Sequence, residues 1–176
     1  MTLLPIVIAP DPRLKIKATP VEAVDDRIRQ LMDDMLETMY DAPGIGLAAP
    51  QVGETCRVIV VDVSGDDEEK EEQAHTSLFM ANPELTWVSE EDYLHEEGCL
   101  SLPDHYADVV RPYAVRVSYL DRDNTQCELE ADGLLATCIQ HEMDHLDGIL
   151  FVDHVSALKR NMILRKLVKA KKLANS

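Results

Sequence analysis

The stretch Asp132-Gly133-Leu134-Leu135-Ala136-Thr137-Cys138-Ile139-Gln140-His141-Glu142-Met143-Asp144-His145-Leu146-Asp147-Gly148 decides how the rest of the chain is read. Asp132-Gly133 opens a helix that runs to about Leu146, and Asp147-Gly148 closes it. At about 100° per residue, Leu134, Cys138, His141 and His145 fall within roughly a 60° sector, so both histidines lie on the apolar stripe of that helix. Histidines at i and i+4 stand one turn apart on one face, where both imidazoles reach a single ion. Two neutral imidazoles on an apolar stripe need partners, and a divalent metal serves both.

A catalytic metal site takes three protein ligands and keeps one position open. Cys138 shares the histidine face but lies ~10 Å from His145 along the axis, too far to complete the set. The third ligand comes from elsewhere, with Cys99, Cys56, His95, His105 and His154 as candidates, and spacing does not choose Cys99 over Cys56. Cys99 sits in Glu97-Gly98-Cys99-Leu100-Ser101, read as a short glycine-bearing turn. Glu142, between the histidines, is the base for a water activated by the ion. Asp144 lies at a similar angle on the other side of the pair, and the longer arm favours the glutamate.

Outward from this helix, Val24–Tyr40 places Val24, Ile28, Leu31, Met32, Met35, Leu36 and Met39 at steps of three and four, an amphipathic helix ended by Ala42-Pro43-Gly44. Arg57–Val63 is a short β-branched run and reads as a buried strand, while Ala114–Leu120 alternates as a half-exposed one. Val155–Leu173 is helical again, with Leu158, Met162, Leu164 and Val168 among the bases. Helices come early, centrally and last, with strands between. The expected class is α+β, a mostly antiparallel sheet packed around the central metal-binding helix, with an amphipathic helix before it and a basic helix after it.

The chain has 176 residues, which fits a single catalytic domain over 1–176, its core about 3–158 and its basic terminal helix about 155–173. Its 17 Lys+Arg against 33 Asp+Glu leave a net charge of -16, which argues against a general nucleic-acid-binding surface. The imbalance is uneven: Lys159, Arg160, Arg165, Lys166, Lys169, Lys171 and Lys172 follow the last acid, Asp153, so the end of an acidic chain is a basic interaction element. Asp66-Asp67-Glu68-Glu69-Lys70-Glu71-Glu72 reads as a solvated loop between strands. Cys56, Cys99, Cys127 and Cys138 form no Cys-x-x-Cys pair, as in a reducing compartment. No apolar run approaches the ~20 residues that cross a bilayer, and the start Met1-Thr2-Leu3-Leu4-Pro5-Ile6 has no basic leader. The expected location is cytoplasmic, with no membrane and no free nucleic acid as partner.

Three separated segments, Gly44-Ile45-Gly46-Leu47-Ala48-Ala49-Pro50-Gln51, Glu97-Gly98-Cys99-Leu100-Ser101 and Gln140-His141-Glu142-Met143-Asp144-His145-Leu146-Asp147-Gly148, resemble the peptide deformylases of bacteria and organelles, in family order and from about Leu3 to Leu158. The resemblance implies a metal-dependent hydrolase that takes the formyl group from the initiator methionine of nascent chains and releases formate. It implies that Cys99, His141 and His145 hold one divalent ion, Fe2+ in the cell, replaceable by Zn2+, Ni2+ or Co2+. Glu142 then matches the general acid and base, Gln51 through its side-chain amide and Leu100 through its backbone N–H match the oxyanion donors, and Gly46 matches the place where backbone closes over the substrate. Ile45, Glu97, Leu134 and Cys138 match the residues of the methionine pocket. His95, Thr137 and Tyr106 depart from the residues many relatives carry there, the first two from apolar ones and the last from arginine. The basic terminal helix resembles a family element that docks on the ribosome, through an attraction to phosphate that falls steeply with salt.

Two other functions remain open from the residues. A His-Glu-x-x-His zinc endopeptidase would take its third ligand downstream as His or Glu, and a non-catalytic ribosome-associated protein would close its metal site with a fourth ligand.

Overall fold

The computed structural model describes residues 2–64 and 76–174. The acidic run Asp66–Glu72 lies outside the described residues. Asp25 caps helix α1, Asp26–Asp41, by accepting the Ile28 N–H at 3.0 Å. The turns of α1 bury Ile28, Leu31, Met32, Met35 and Met39, the spacing expected from the sequence. Strands β1 (Gly46–Ala48), β2 (Val58–Val61), β3 (Leu78–Val88), β6 (Ala114–Leu120) and β7 (Gln126–Asp132) form one antiparallel sheet in the order β1-β2-β3-β6-β7. The remaining strands, β4 (Asp92–Cys99) and β5 (Leu102–Pro112), pair only with each other as an antiparallel hairpin. Helix α2 spans Gly133–Leu146 and helix α3 spans Ala157–Ala174. The class is α+β with antiparallel sheets.

Strand β2 explains how the large sheet is covered. All four of its residues are 0% exposed, because successive side chains point to opposite faces and both faces are packed. Val58 and Val60 join Leu47, Ala81 and the buried side of α1 in one apolar cluster. Ile59 and Val61 join Met80, Val115, Val117 and, from α2, Ala136, Cys138, Ile139 and Leu146 in another. Helix α2 touches β1, β2, β5, β6 and β7, so it is enclosed by the sheet on one side and the hairpin on the other. This widens the one-stripe expectation. Every residue from Ala136 to Glu142 is buried, as for a helix packed around most of its circumference.

Two further features differ from the sequence reading. The segment around Cys99 is no independent turn: Glu97, Gly98 and Cys99 end β4, and the reversal into β5 falls on Leu100–Ser101. The inward positions of β4 are Tyr93, His95 and Glu97, polar enough to hide the strand's alternation. In α3 the buried side chains are Ile163 and Leu167, packed against Val7, Leu14, Val109 and Phe151, while Leu158 and Met162 are exposed. No helix among the described residues is long and apolar enough to cross a membrane.

Candidate active site

Strand β4 delivers Cys99 against α2 at the level of His145. Cys99 Sγ lies 3.4 Å from His145 Nε2, and one donor atom from each of Cys99, His141 and His145 lies within 4.8 Å of the others. A thiolate and an imidazole sharing one tetrahedral ion stand about 3.6 Å apart, given bond lengths of ~2.3 and ~2.1 Å, so the observed spacing fits a small divalent cation. The cluster is confined to these three among the described residues. Of the other candidates, His154 Nε2 pairs with Asp144 Oδ2 at 2.8 Å, His95 stacks on Tyr93, and Cys56 lies in a backbone β-bridge with Thr19.

The two histidines are prepared differently. His141 Nδ1 meets Glu97 Oε1 at 2.8 Å. A carboxylate there fixes the proton on Nδ1 and leaves the Nε2 lone pair for an ion. Burial, with the neighbouring His141 and Arg111, holds His145 well below the ordinary histidine range, so its imidazole is neutral, the form that ligates. Its Nδ1 has no hydrogen-bond partner.

Glu97 was expected in the substrate pocket. It borders the cleft, yet both its oxygens are engaged: Arg111 Nε donates to Oε2 at 2.7 Å and Nη2 to Oε1 at 2.9 Å, beside the His141 contact. Burial opposes the Glu97 charge, and the bonds from His141 and Arg111 outweigh it, bringing the carboxyl down to about 2. Arg111 Nη1 also donates to Asp144 Oδ2 at 2.9 Å. A chain of polar contacts therefore runs from exposed His154 through Asp144 to buried Arg111, Glu97 and His141. Arg111 was not singled out from the sequence. A lone arginine in a strand carries no local signal of a partner 14 residues away on the adjacent strand.

Glu142 is 2% exposed, and its Oε1 has no hydrogen-bond partner, lying 3.8 Å from His145 Nε2. Burial pushes its carboxyl up to about 7, the nearby acids Glu97 and Asp144 adding to the effect and His141 and Arg111 opposing it. Gly46 opens β1 directly over this carboxylate. A Cβ at Gly46 would stand 2.6 Å from Glu142 Oε2 and 2.8 Å from Cys138 Sγ, so glycine is required by the glutamate's approach as well as by any ligand's.

Gln51 is 1% exposed, and its amide orientation is set by the Ala48 N–H, which donates to Oε1 at 2.9 Å. Its NH2 group accordingly faces Ser101 Oγ at 3.0 Å and Cys99 Sγ at 3.4 Å. Leu100 lies in the turn beyond Cys99, with its side chain against Gly44. Gly46, Gln51, Cys99, Leu100, His141 and Glu142 line a cleft of about 890 Å3, with His145 behind them. Ile45, just before β1, and Leu134, Thr137 and Cys138 of α2 line it on one side, and His95, Glu96 and Tyr106 line it from the hairpin. Cys138 points its thiol toward the Ile45 carbonyl at 3.5 Å and takes no part in the three-donor cluster.

A buried carboxylate beside a cysteine and two histidines, open to a cleft, has the composition of a metal-assisted hydrolase. The family model for polypeptide deformylase matches residues 3–161. A peptide deformylase of Methylocella silvestris is 58% identical over 175 residues, covering 98% of this chain and 87% of that protein. One from Rhizobium meliloti is 54% identical, covering 98% and 96%. Among solved structures, the peptide deformylase of Ehrlichia chaffeensis in complex with actinonin superposes with a TM-score of 0.90 at 41% identity, covering 97% of this chain and 98% of that one. With the match running almost end to end, this chain belongs to the polypeptide deformylase family.

Proposed function

We propose that this protein hydrolyses the formamide bond of N-formylmethionyl peptides, releasing formate and freeing the amino terminus of nascent chains. The observation that carries the reading is the juxtaposition of the Cys99, His141 and His145 donors with the unpartnered Glu142 oxygen, beside a cleft that Cys99, His141 and Glu142 line. Cys99, His141 and His145 hold the ion, and the thiolate leaves the site at a net charge of only about +1. When bound, such an ion supplies Lewis acidity, polarising the formyl carbonyl and making water a stronger acid. Fe2+ is the ion assigned in the cell, with Zn2+, Ni2+ or Co2+ able to replace it.

The chain's own groups supply the rest. Glu142 Oε1 takes a proton from the attacking water and returns it to the amine nitrogen as the C–N bond breaks. One carboxyl group thus serves first as base and then as acid. The Gln51 amide and the Leu100 N–H donate to the formyl oxygen as it gains charge. Strand β1 is an edge strand, with β2 on one side, so its other edge can take the substrate backbone as an added strand. Ile45, Leu134 and Cys138 receive the methionine side chain. The activity belongs in the cytoplasm, where the basic α3 places the protein on ribosomal phosphate.

Anaerobic purification with metal analysis, followed by formate-release assays, tests this. Glu142→Ala should keep its metal and lose about 100- to 10,000-fold in turnover. Comparable activity would remove Glu142 from its role. Cleavage of internal bonds in formyl-Met-Ala peptides and their acetyl counterparts, without formate release, would instead indicate an endopeptidase.

A further inference from the structure

Ser101 is 0% exposed and stands behind the cleft wall to which Gln51, Cys99 and Leu100 contribute. It occupies the turn from β4 into β5, where its carbonyl accepts the Ala9 N–H at 2.8 Å, while the Gln51 carbonyl accepts the Val7 N–H at 2.7 Å. One N-terminal stretch thus fixes the backbones of both residues. Their side chains meet independently of it, since Gln51 Nε2 donates to Ser101 Oγ at 3.0 Å. A serine in a turn commonly returns its hydroxyl to nearby backbone, whereas this one meets an amide 50 positions away. A primary amide has two N–H hydrogens, fixed in the plane of the group. The Ala48 N–H on Gln51 Oε1 at 2.9 Å excludes the flipped amide, which would set N–H against N–H. One hydrogen of Nε2 therefore goes to Ser101, and the other is directed toward Cys99 Sγ, 3.4 Å away and itself a member of the three-donor cluster.

We infer that Ser101 is a positioning residue for the reaction: its Oγ anchors one hydrogen of the Gln51 amide, so that the other is aimed at the oxygen that gains charge as the formyl carbonyl is attacked. This rests on the deformylase reading, which supplies that oxygen. Without Oγ, a buried N–H loses its acceptor and the amide plane is no longer held at that end. A donor that acts on developing charge contributes in the transition state and little in the ground state. Misaiming it therefore lowers kcat and leaves KM nearly unchanged. A serine needed only for the turn would act through its backbone carbonyl, which replacement of the side chain does not remove.

The test uses the metal-loaded wild type, Ser101→Ala, Gln51→Ala and the double variant, with formyl-Met-Ala-Ser as substrate. In Ser101→Ala, kcat should fall about ten-fold, with KM and metal content within about two-fold of wild type. Added to Gln51→Ala, the same change should lower kcat less than about two-fold, because the amide it positions is gone. NMR of the Zn2+-loaded protein gives a readout independent of turnover, the Gln51 side-chain NH2 signals being assigned by their absence from Gln51→Ala. In Ser101→Ala, one of those two proton signals should move upfield as its acceptor is lost. A kcat loss that recurs in full without Gln51 overturns the proposal. So does a loss of metal, which would place the effect on Cys99, and so do unmoved NH2 signals. If Ser101→Ala folds poorly, the wild-type spectrum decides, since both NH2 signals at the positions of an exposed glutamine overturn the anchor. Absence of formate release from the wild type would defeat the deformylase reading itself, while the NH2 signals still report whether Ser101 holds Gln51.

Discussion

Glu97 ties a metal-ligand candidate on α2 to an arginine on β5, and its carboxylate has a task that a neutral amide cannot fully perform. With one oxygen on His141 Nδ1 at 2.8 Å and both shared with Arg111, it fixes the imidazole tautomer and its direction. Such partners typically contribute a factor of about 10–100 in metal affinity. Glu97→Gln keeps the shape but loses the charge that balances Arg111, which is 6% exposed and would retain only Asp144. The expected outcome is a folded protein whose metal affinity is about 10- to 100-fold weaker, read by competition against a chelator of known strength. Undiminished affinity would mean that the His141 geometry is held by packing alone. The family resemblance named Glu97 only as a pocket residue. Its bond to His141 spans 44 positions, and no spacing rule reaches across that distance.

At the scale of elements, legibility followed periodicity. Helix α1 was readable because its buried side chains recur at three and four, and β2 and β6 because their apolar residues are β-branched or alternate with polar ones. Helix α2 was readable at both ends and in its histidine pair. The β4–β5 hairpin was not, since its inward positions are partly polar and its outward ones include exposed Leu94 and Val110. The same lack left Cys99 and Cys56 undistinguished: only the hairpin carries the first to α2. Strand β3 escaped notice because Asn82, at φ 51°, and Pro83 interrupt its eleven residues where the register against β6 shifts. The end of α2 supports a prediction at this scale. Gly148 has φ +75°, and a Cβ there would stand 2.5 Å from the Lys15 carbonyl oxygen. That glycine seats the helix end beneath the N-terminal segment, where Ala18 N–H donates to the Leu146 carbonyl at 2.8 Å. Gly148→Ala should therefore destabilise the protein by about 2 kcal/mol or more, through backbone strain plus a contact that backbone cannot easily relieve. For a chain of this size that lowers Tm by roughly 4–8 °C. A melting temperature within a degree of wild type would show that Lys15 yields freely.

For the whole molecule the governing asymmetry is electrical. The net charge is -16, while α3 carries Lys159, Arg160, Arg165, Lys166, Lys169, Lys171 and Lys172 with no acid. Burial of Ile163 and Leu167 against Phe151 and Val109 fixes the helix to the rest of the structure, so deleting α3 would confuse loss of docking with loss of core. Charge can be removed without that confusion, because Arg165, Lys166 and Lys169 are exposed and distant in sequence from every group assigned to catalysis. The triple change Arg165→Gln, Lys166→Gln and Lys169→Gln should leave formate release from a free formyl-Met-Ala-Ser peptide unaltered. Exposed substitutions of this kind usually shift stability by no more than about 0.5 kcal/mol. Cosedimentation with ribosomes should weaken, and the slope of log affinity against log salt should become shallower by about 2–3, since each phosphate contact contributes roughly 0.7–0.9. The slope is the decisive quantity: a weaker affinity with the same slope would locate the lost interaction in the exposed Leu158 and Met162 rather than in charge. Equal affinity and equal slope would mean that α3 contributes packing to this fold and no ribosomal contact.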